Sequence, residues 1–339
     1  MLRDQRRLGR KKAPSGKMTG SSLVPVGHEV TNLLKLPKLN TVVVDRLLDA
    51  AEAIAQRDSE GICYMHSILC QTSLPYRDPG NDVREWERRQ GKASLRVEAG
   101  VALHPETGEW IKVGLPHGAK SRLLLGYLNT RAIVTQNRVV EIGDSLTDFV
   151  TRELKLGNYG RNMVGVKEQM TRLAACSMRF GYTDGETSYN TKLDVVKDFD
   201  LWFSKDERQK VLWPSVVVLS ADYFENLLSH AVPLEMRAMA ALSHSAMGLD
   251  IYTWLAQRLH RIDRGKRQMI AWPVVKEQFG ADIASLTKFR QNFMVALRQV
   301  CAVYPSARID VTRHGVFLYN SLPPISKTGV VLSLSTENN

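Results

Sequence analysis

Apolar positions along the chain switch between helical and strand-like spacing, and the switches come twice in the same order. From Ser121 the stretch SRLLLGYLNTRAIVTQ has the three-to-four-residue spacing of an amphipathic helix. VVEIG then reads as a short strand, SLTDFVTRELKLG as a short helix and RNMVGVKEQMTRLAAC as a long one. MRFGYT and KLDVVKDFDLWF follow as strands, ending near Phe203. From Leu249 the order returns, through LDIYTWLAQRLHRID, MIAW, PVVKEQFG, SLTKFRQNFMVALRQVCAVY, ARIDV and VFLYN, ending near Tyr319. Helix, strand, helix, turn, long helix and β-hairpin is the order of a winged helix, a helix-turn-helix followed by a hairpin wing. The expectation is an α+β chain of two tandem winged-helix domains.

The flanks complete this organisation. Residues 1–39 are rich in Lys, Arg, Ser, Gly and Pro without periodicity, and read as a disordered basic arm. The first domain is expected over 40–205, with an N-terminal helix and extra strands, the second over 206–325, and a flexible tail over 326–339. The helix runs from Val44 to Gln56 and could pack on the first domain or on a second copy of the chain. Between Cys63 and Gly114 the texture is β. Ala93–Ala99 alternates cleanly, and Val101–His104 with Trp110–Val113 bracket PETGE, a hairpin signal with Gly108 in its turn. These strands are expected to extend the first sheet. SKDERQKV at 204–211 is the expected linker. Helices are predicted at Ser220–Ser229, capped by Ser220, and at Pro233–Leu242.

In the first long helix, Met163, Val166, Met170, Leu173 and Ala174 form the core stripe. The other face then carries Arg161, Gly165, Glu168 and Arg172, with Gln169 at its edge. Gly165 weakens a helix interior. It is explained by close approach of the backbone either to DNA or to a neighbouring helix. In the second long helix Phe289, Phe293, Ala296, Leu297 and Val300 face inward, and Thr287, Lys288, Gln291 and Arg298 project outward. Lys, Arg and Gln are the types that pair with guanine and adenine edges in the major groove. The first wing tip, TDGETSYN, is acidic and polar. The second, with Arg313 and His314, suits phosphate.

Charge sharpens the reading. The net charge is +11. Residues 1–17 hold seven basic residues against Asp4 alone. Such an arm attracts phosphate by counterion release, or is a solvated tail. No apolar run has the length of a membrane span and no signal-peptide core follows the basic start, so a cytoplasmic protein without membrane contact is expected. Four cysteines in 339 residues do not make a disulfide framework. No Gly-rich loop ends in Gly-Lys-Ser/Thr, and Gly157 with Gly160 lack the strand and third glycine of a dinucleotide loop. No two histidines flank one apolar residue, as a nicking initiator requires. The expectation is a protein without enzymatic activity and without a cofactor. Cys63, His66 and Cys70 have a zinc-like spacing, but ICYMHSILC is apolar and no fourth ligand is near, so these read as core.

Long runs also resemble the plasmid-encoded RepA family of replication initiators: LSADYFENLLSHAVPLEMRAMAALSHSAMGLDIYTWLAQRL, IAWPVVKEQFGAD and FRQNFMVALRQVCAVYPSARI. MHSILCQTSLP, GKASLRVEAG and KEQMTRLAACSMRFG extend the resemblance over about residues 60–325. It implies a protein that binds direct repeats of duplex DNA at a plasmid origin, promotes opening, and recruits the host replicative helicase and initiator. It also implies homodimers that repress their own gene. The Gly-Gly-Arg run usual before the family's first recognition helix is matched here only by Gly160 and Arg161 of GNYGRNM.

Two other readings fit the same pattern: a winged-helix transcriptional repressor with no replication role, and a winged-helix scaffold that binds proteins. The residues expected at DNA are Arg161, Glu168, Gln169, Arg172, Thr287, Lys288, Gln291, Arg298, Arg313 and His314.

Overall fold

The computed structural model describes residues 39–56, 61–104, 107–143, 145–183, 185–198 and 216–325. The basic arm, the linker at 204–211 and the tail beyond 325 lie outside the described residues, as does part of the first wing tip. Among the described residues the fold is α+β, and buried residues from Leu47 to Leu318 form one connected core.

Asn40 starts α1 (Thr41–Ala55) by accepting from the Val42 N–H. β1 (Ile62–His66) runs straight into α2 (Ser67–Gln71), which His66 caps by accepting from the Ile68 N–H. β2 (Glu85–Gln90) and β3 (Ala93–Glu98) form a hairpin, as do β4 (Val101–Leu103) and β5 (Trp110–Lys112), with Gly108 at φ +65 in the second turn. The first repeat follows: α3 (Gly118–Thr135), β6 (Val139–Glu141), α4 (Leu146–Asp148) continued by a π-helical turn at Phe149–Glu153, α5 (Gly160–Ala175), then β7 (Ser177–Thr183), β8 (Ser188–Lys192) and β9 (Val196–Asp198). β10 (Val216–Leu219), α6 (Ala221–His230), β11 (Ala231–Glu235) and α7 (Met236–Ala241) lead to the second repeat. That repeat is α8 (Ala246–Arg258), β12 (Arg267–Ala271), α9 (Trp272–Gly280), α10 (Leu286–Val303), β13 (Ile309–Val311) and β14 (Gly315–Tyr319).

The two repeats share an element order but not a sheet plan. In the second, β12, β14 and β13 make one three-stranded sheet in that order. In the first, β7 and β8 join β3 and β2 in a four-stranded sheet, while β6 pairs with β10, which lies between it and β9. Ala93, Leu95 and Val97 of β3 are buried against this sheet's helical side, as the alternation requires.

Three expectations are corrected. The N-terminal helix does not pack on the first domain; it lies on α7 and α10 of its own chain. Its apolar face supplies Leu47 to that core, Arg46 donates to Ser243 Oγ at 3.2 Å, and Arg237 Nη1 donates to the Ala53 carbonyl at 2.8 Å. Pro233 does not open a helix. It sits in β11 opposite Tyr64 of β1. The Tyr64 N–H turns away to Thr130 Oγ1 at 2.8 Å, so this register asks no donor of the proline. The helix that follows starts only at Met236, where Glu235 caps it. Lastly, β4 and β5 pair as a separate ribbon and do not extend the four-stranded sheet.

The repeats meet through polar contacts. Arg122 of α3 and Asp250 of α8, both buried, join in a two-armed ion pair, Nε to Oδ1 at 2.5 Å and Nη2 to Oδ2 at 2.8 Å. Arg122 also donates to the carbonyls of Leu74 and Gly118, so its charge is fully bonded. Burial raises the Asp250 carboxyl, and the adjacent guanidinium opposes that rise. Gln278 of α9 donates to the Gln71 carbonyl at 2.9 Å, and Arg88 of β2 to the Glu277 carbonyl at 3.2 Å.

Candidate nucleic-acid interface

In the second repeat, Trp272 organises the surface. Its indole N–H donates to the Thr312 carbonyl at 3.0 Å and its backbone N–H to the His314 carbonyl at 3.2 Å, so the turn between β13 and β14, the expected wing tip, is tied to the start of α9. The same ring meets Phe289 and Phe293 of α10 edge-on, at 6.4 and 5.8 Å between centroids. The long helix and the β13–β14 hairpin are thus fixed to one buried side chain. Gly315 closes the turn, since a Cβ there would lie 2.1 Å from the Ile270 carbonyl oxygen.

Around this hub the expected residues are available. Ser285 caps α10 through the Lys288 N–H. Thr287, Lys288 and Gln291 are exposed on its first two turns; Arg313 and His314 are exposed on the wing tip. Arg298 is half-buried further along the helix. Arg313 Nε donates to His314 Nε2 at 2.8 Å, which joins the two side chains at the tip. Arg290 was not expected here. Its guanidinium lies 4.8 Å from the Trp272 ring centroid, beside the exposed face. The signal was present as an arginine next to the core Phe289, but a helical wheel does not show which ring it covers.

The first repeat is built differently. Gln169 and Arg172 are 3% and 7% exposed and do not face solvent, which corrects their assignment to a DNA face. Gln169 lies three residues after Val166 and four before Leu173, inside the apolar stripe rather than at its edge. Its Oε1 accepts from the His117 N–H at 2.8 Å and from Ser121 Oγ at 2.7 Å. Arg172 donates to both Asp78 oxygens at 2.9 Å and to the Leu115 carbonyl at 3.0 Å. Those bonds from Arg172 hold the Asp78 carboxyl below the ordinary aspartate range. Glu168 is exposed but pairs with Arg172 at 2.7 Å, one helical turn on. Arg161 is exposed at the helix start, 5.4 Å from the Tyr159 ring centroid. Gly165 answers to a neighbouring helix: a Cβ there would lie 3.0 Å from Lys120 Nζ of α3. Burial, and then the nearby Arg161, lower the Lys120 ammonium below the usual lysine range.

His66 and the four cysteines lie inside. His66 Nδ1 accepts from Ile68, its Nε2 donates to Asn226 Oδ1 at 2.8 Å, and burial lowers it to about 4. Burial pushes the Cys63 thiol up to about 11, against a partial counter-effect from its bond with Thr130. No cluster of three metal-ligating side chains occurs among the described residues. No described helix is long and apolar enough to cross a membrane.

Comparison with known proteins bears on the part of the chain that runs from the start of the first repeat into the second. Residues 115–274 match the family described as plasmid encoded RepA protein. That stretch resembles the RepA family. It is just under half of the chain. The RepA stretch contains α3, α5, the Arg122–Asp250 pair and Trp272, and it ends before α10 and the second wing. A comparison with curated proteins returned no match. Among solved structures, the chain is similar to domains 2 and 3 of RctB, with 9% identity and a TM-score of 0.48 over 77% of this chain and 99% of that one. A second RctB structure of the same domains gives 10% identity and a TM-score of 0.46, over 79% and 99%. Likeness at that level carries no function across.

Proposed function

We propose that this chain is a plasmid replication initiator that binds repeated duplex DNA sites through two winged-helix units, without enzymatic activity or cofactor. The observation that carries the reading is the second repeat's surface. Lys288 and Gln291 on the helix and Arg313 and His314 on the wing are exposed, and both elements are anchored to Trp272. Its strand order, β12, β14, β13, brings the strand before the two helices back beside the wing, which suits a winged helix. The helix N-terminus enters the major groove and reads base edges, and the wing contacts phosphate. The RepA match over residues 115–274 supports the replication role. In the first unit, Arg161 and Glu168 remain as the exposed candidates.

Binding energy is the driving term: contacts to duplex repeats distort the origin, opening follows, and the host replicative helicase and initiator assemble on the complex. Homodimers repress the chain's own gene. The test is a footprint of the full chain on the DNA flanking its gene, at two salt concentrations. Regularly spaced protection of about two helical turns per site, surviving the higher salt, is expected. Diffuse protection that vanishes with salt overturns the reading in favour of a protein-binding scaffold. Failure of that DNA to support replication of a plasmid, despite specific protection, reduces it to a repressor.

A further inference from the structure

The outer face of the second repeat's sheet carries chemistry that a DNA-reading wing does not need. In β12 and β14, Arg267 stands opposite Tyr319 and Met269 opposite Phe317; in β13, Asp310 stands opposite Phe317. Strand alternation places all five on one face. Their alternates Ile270, Val316, Leu318 and Ile309 are buried on the other. On the outer face Phe317 and Tyr319 are only half-buried, Met269 is 47% exposed, and Arg267 and Arg308 are exposed. The Arg267 guanidinium lies 4.7 Å from the Phe317 centroid, and that of Arg308 lies 5.9 Å from the Tyr319 centroid. The Tyr319 hydroxyl donates to Asp310 Oδ2 at 2.7 Å, which fixes the ring.

More positive charge gathers at the same end. Asn320 Nδ2 donates to the Ile262 carbonyl at 2.6 Å, and the Ser321 N–H donates to the Leu259 carbonyl at 3.4 Å. These bonds hold the loop that bears the exposed Arg261, Arg264 and Lys266 against the Tyr319 end of β14. Asp263, paired with Lys266 at 2.8 Å, and Asp310 are the acids of this region. The wing tip lies at the opposite end of the strand, about 13 Å away.

Two rings two residues apart on a central strand, with Arg267 on the strand to one side and Arg308 just before the strand on the other, form a stacking platform. Rings accept unstacked bases, and guanidiniums accept the phosphates between them. A duplex hides its base faces and has no use for the rings. An acidic peptide would engage the cations alone. We propose that this face binds single-stranded nucleic acid through Phe317 and Tyr319, with Arg267 and Arg308 on the backbone. The inference rests on the reading of the chain as an origin binder and extends it from the duplex to a strand released by opening.

The experiment uses the full chain, a fluorescent oligothymidine, and the duplex flanking the gene. Phe317→Thr with Tyr319→Thr keeps strand propensity and removes both rings. Oligothymidine affinity is expected to fall by about tenfold or more, while duplex affinity stays within about twofold. The indole emission that Phe317→Trp adds, taken as the difference from the parent chain with its six tryptophans, is expected to be quenched by oligothymidine. Unchanged oligothymidine affinity in the double variant, or no quenching, overturns the proposal. So does equal loss on duplex and single strand, or displacement of the oligomer by a poly-glutamate peptide that also needs the rings. If the footprint fails while ring-dependent oligothymidine binding holds, the origin reading falls by itself. A sound footprint without ring dependence sinks only this inference.

Discussion

The two repeats spend similar polar side chains in opposite ways. In the second, Lys288 and Gln291 leave the long helix for solvent, its one inward amide, Gln299, bonds His244 far from them, and the β13–β14 turn is held by its own backbone bonded to Trp272. In the first, Gln169 and Arg172 turn inward to His117, Ser121, Leu115 and Asp78, and so lock α5 onto α3 and the loops before it. The sheet tells the same story. The second repeat closes its own three strands, whereas the first lends its wing hairpin to β3 and receives β10 beside β6. A shared order of elements therefore does not imply a shared surface. The first copy serves as the structural anchor and the second presents free side chains.

The largest test of this comparison strikes the joint between the copies. Asp250→Ala leaves Arg122 buried without its partner, and is expected to cost about 3–5 kcal/mol in chemical denaturation. A loss below about 1 kcal/mol would mean that the copies do not depend on this pair. Next comes pH. His66 titrates at about 4 in the folded chain against 6.5 as a free histidine. The unfolded chain takes up this proton first as pH falls, so the stability from neutral His66 is present above pH 6.5 and is lost progressively down to about pH 4. The full loss is about 3 kcal/mol. His66→Asn keeps a capping side chain, and a stability profile flatter than the parent's over that window is expected.

The paired substitutions then separate anchor from reader. Arg172→Ala strands the Leu115 carbonyl and removes a charged bond to Asp78, itself partly solvated, so a stability loss of about 2 kcal/mol is expected by thermal melting. Lys288→Ala with Gln291→Ala is expected to leave the melting temperature in place. DNA affinity falls by about 1–3 kcal/mol, with relaxed sequence preference if Gln291 reads a base. Equal melting shifts in the two variants would erase the distinction between the copies.

Local order was legible from the residues; partnership was not. The periodicity placed the two long helices within a residue or two of their observed ends, and Ser220, Gly108 and the alternation of β3 gave a cap, a turn and a buried face. The phase of α5 was misread at Gln169 and Arg172 because a polar side chain satisfied by His117 and Asp78 sits in a core without violating polar satisfaction. Those partners lie on loops far away in sequence. The same limit hid the covering of α7 and α10 by α1, and the strand role of Pro233. The exposure of Thr287, Lys288 and Gln291 on α10 and of Arg313 and His314 at the hairpin turn was readable because it depends on local phase alone, whereas Arg298, expected to project outward, is half-buried.

The pairing of β1 with β11 has a consequence for synthesis. Residues 62–66 emerge well before 231–235, their strand partners. At ~5–20 residues per second the first strand waits roughly 10–30 s with a bare edge, and the apolar face of α1 waits longer for α10. A nascent chain halted near residue 205 would therefore expose a sticky edge rather than a finished domain, and this protein's yield in a cell should follow the holdase capacity available to its first half.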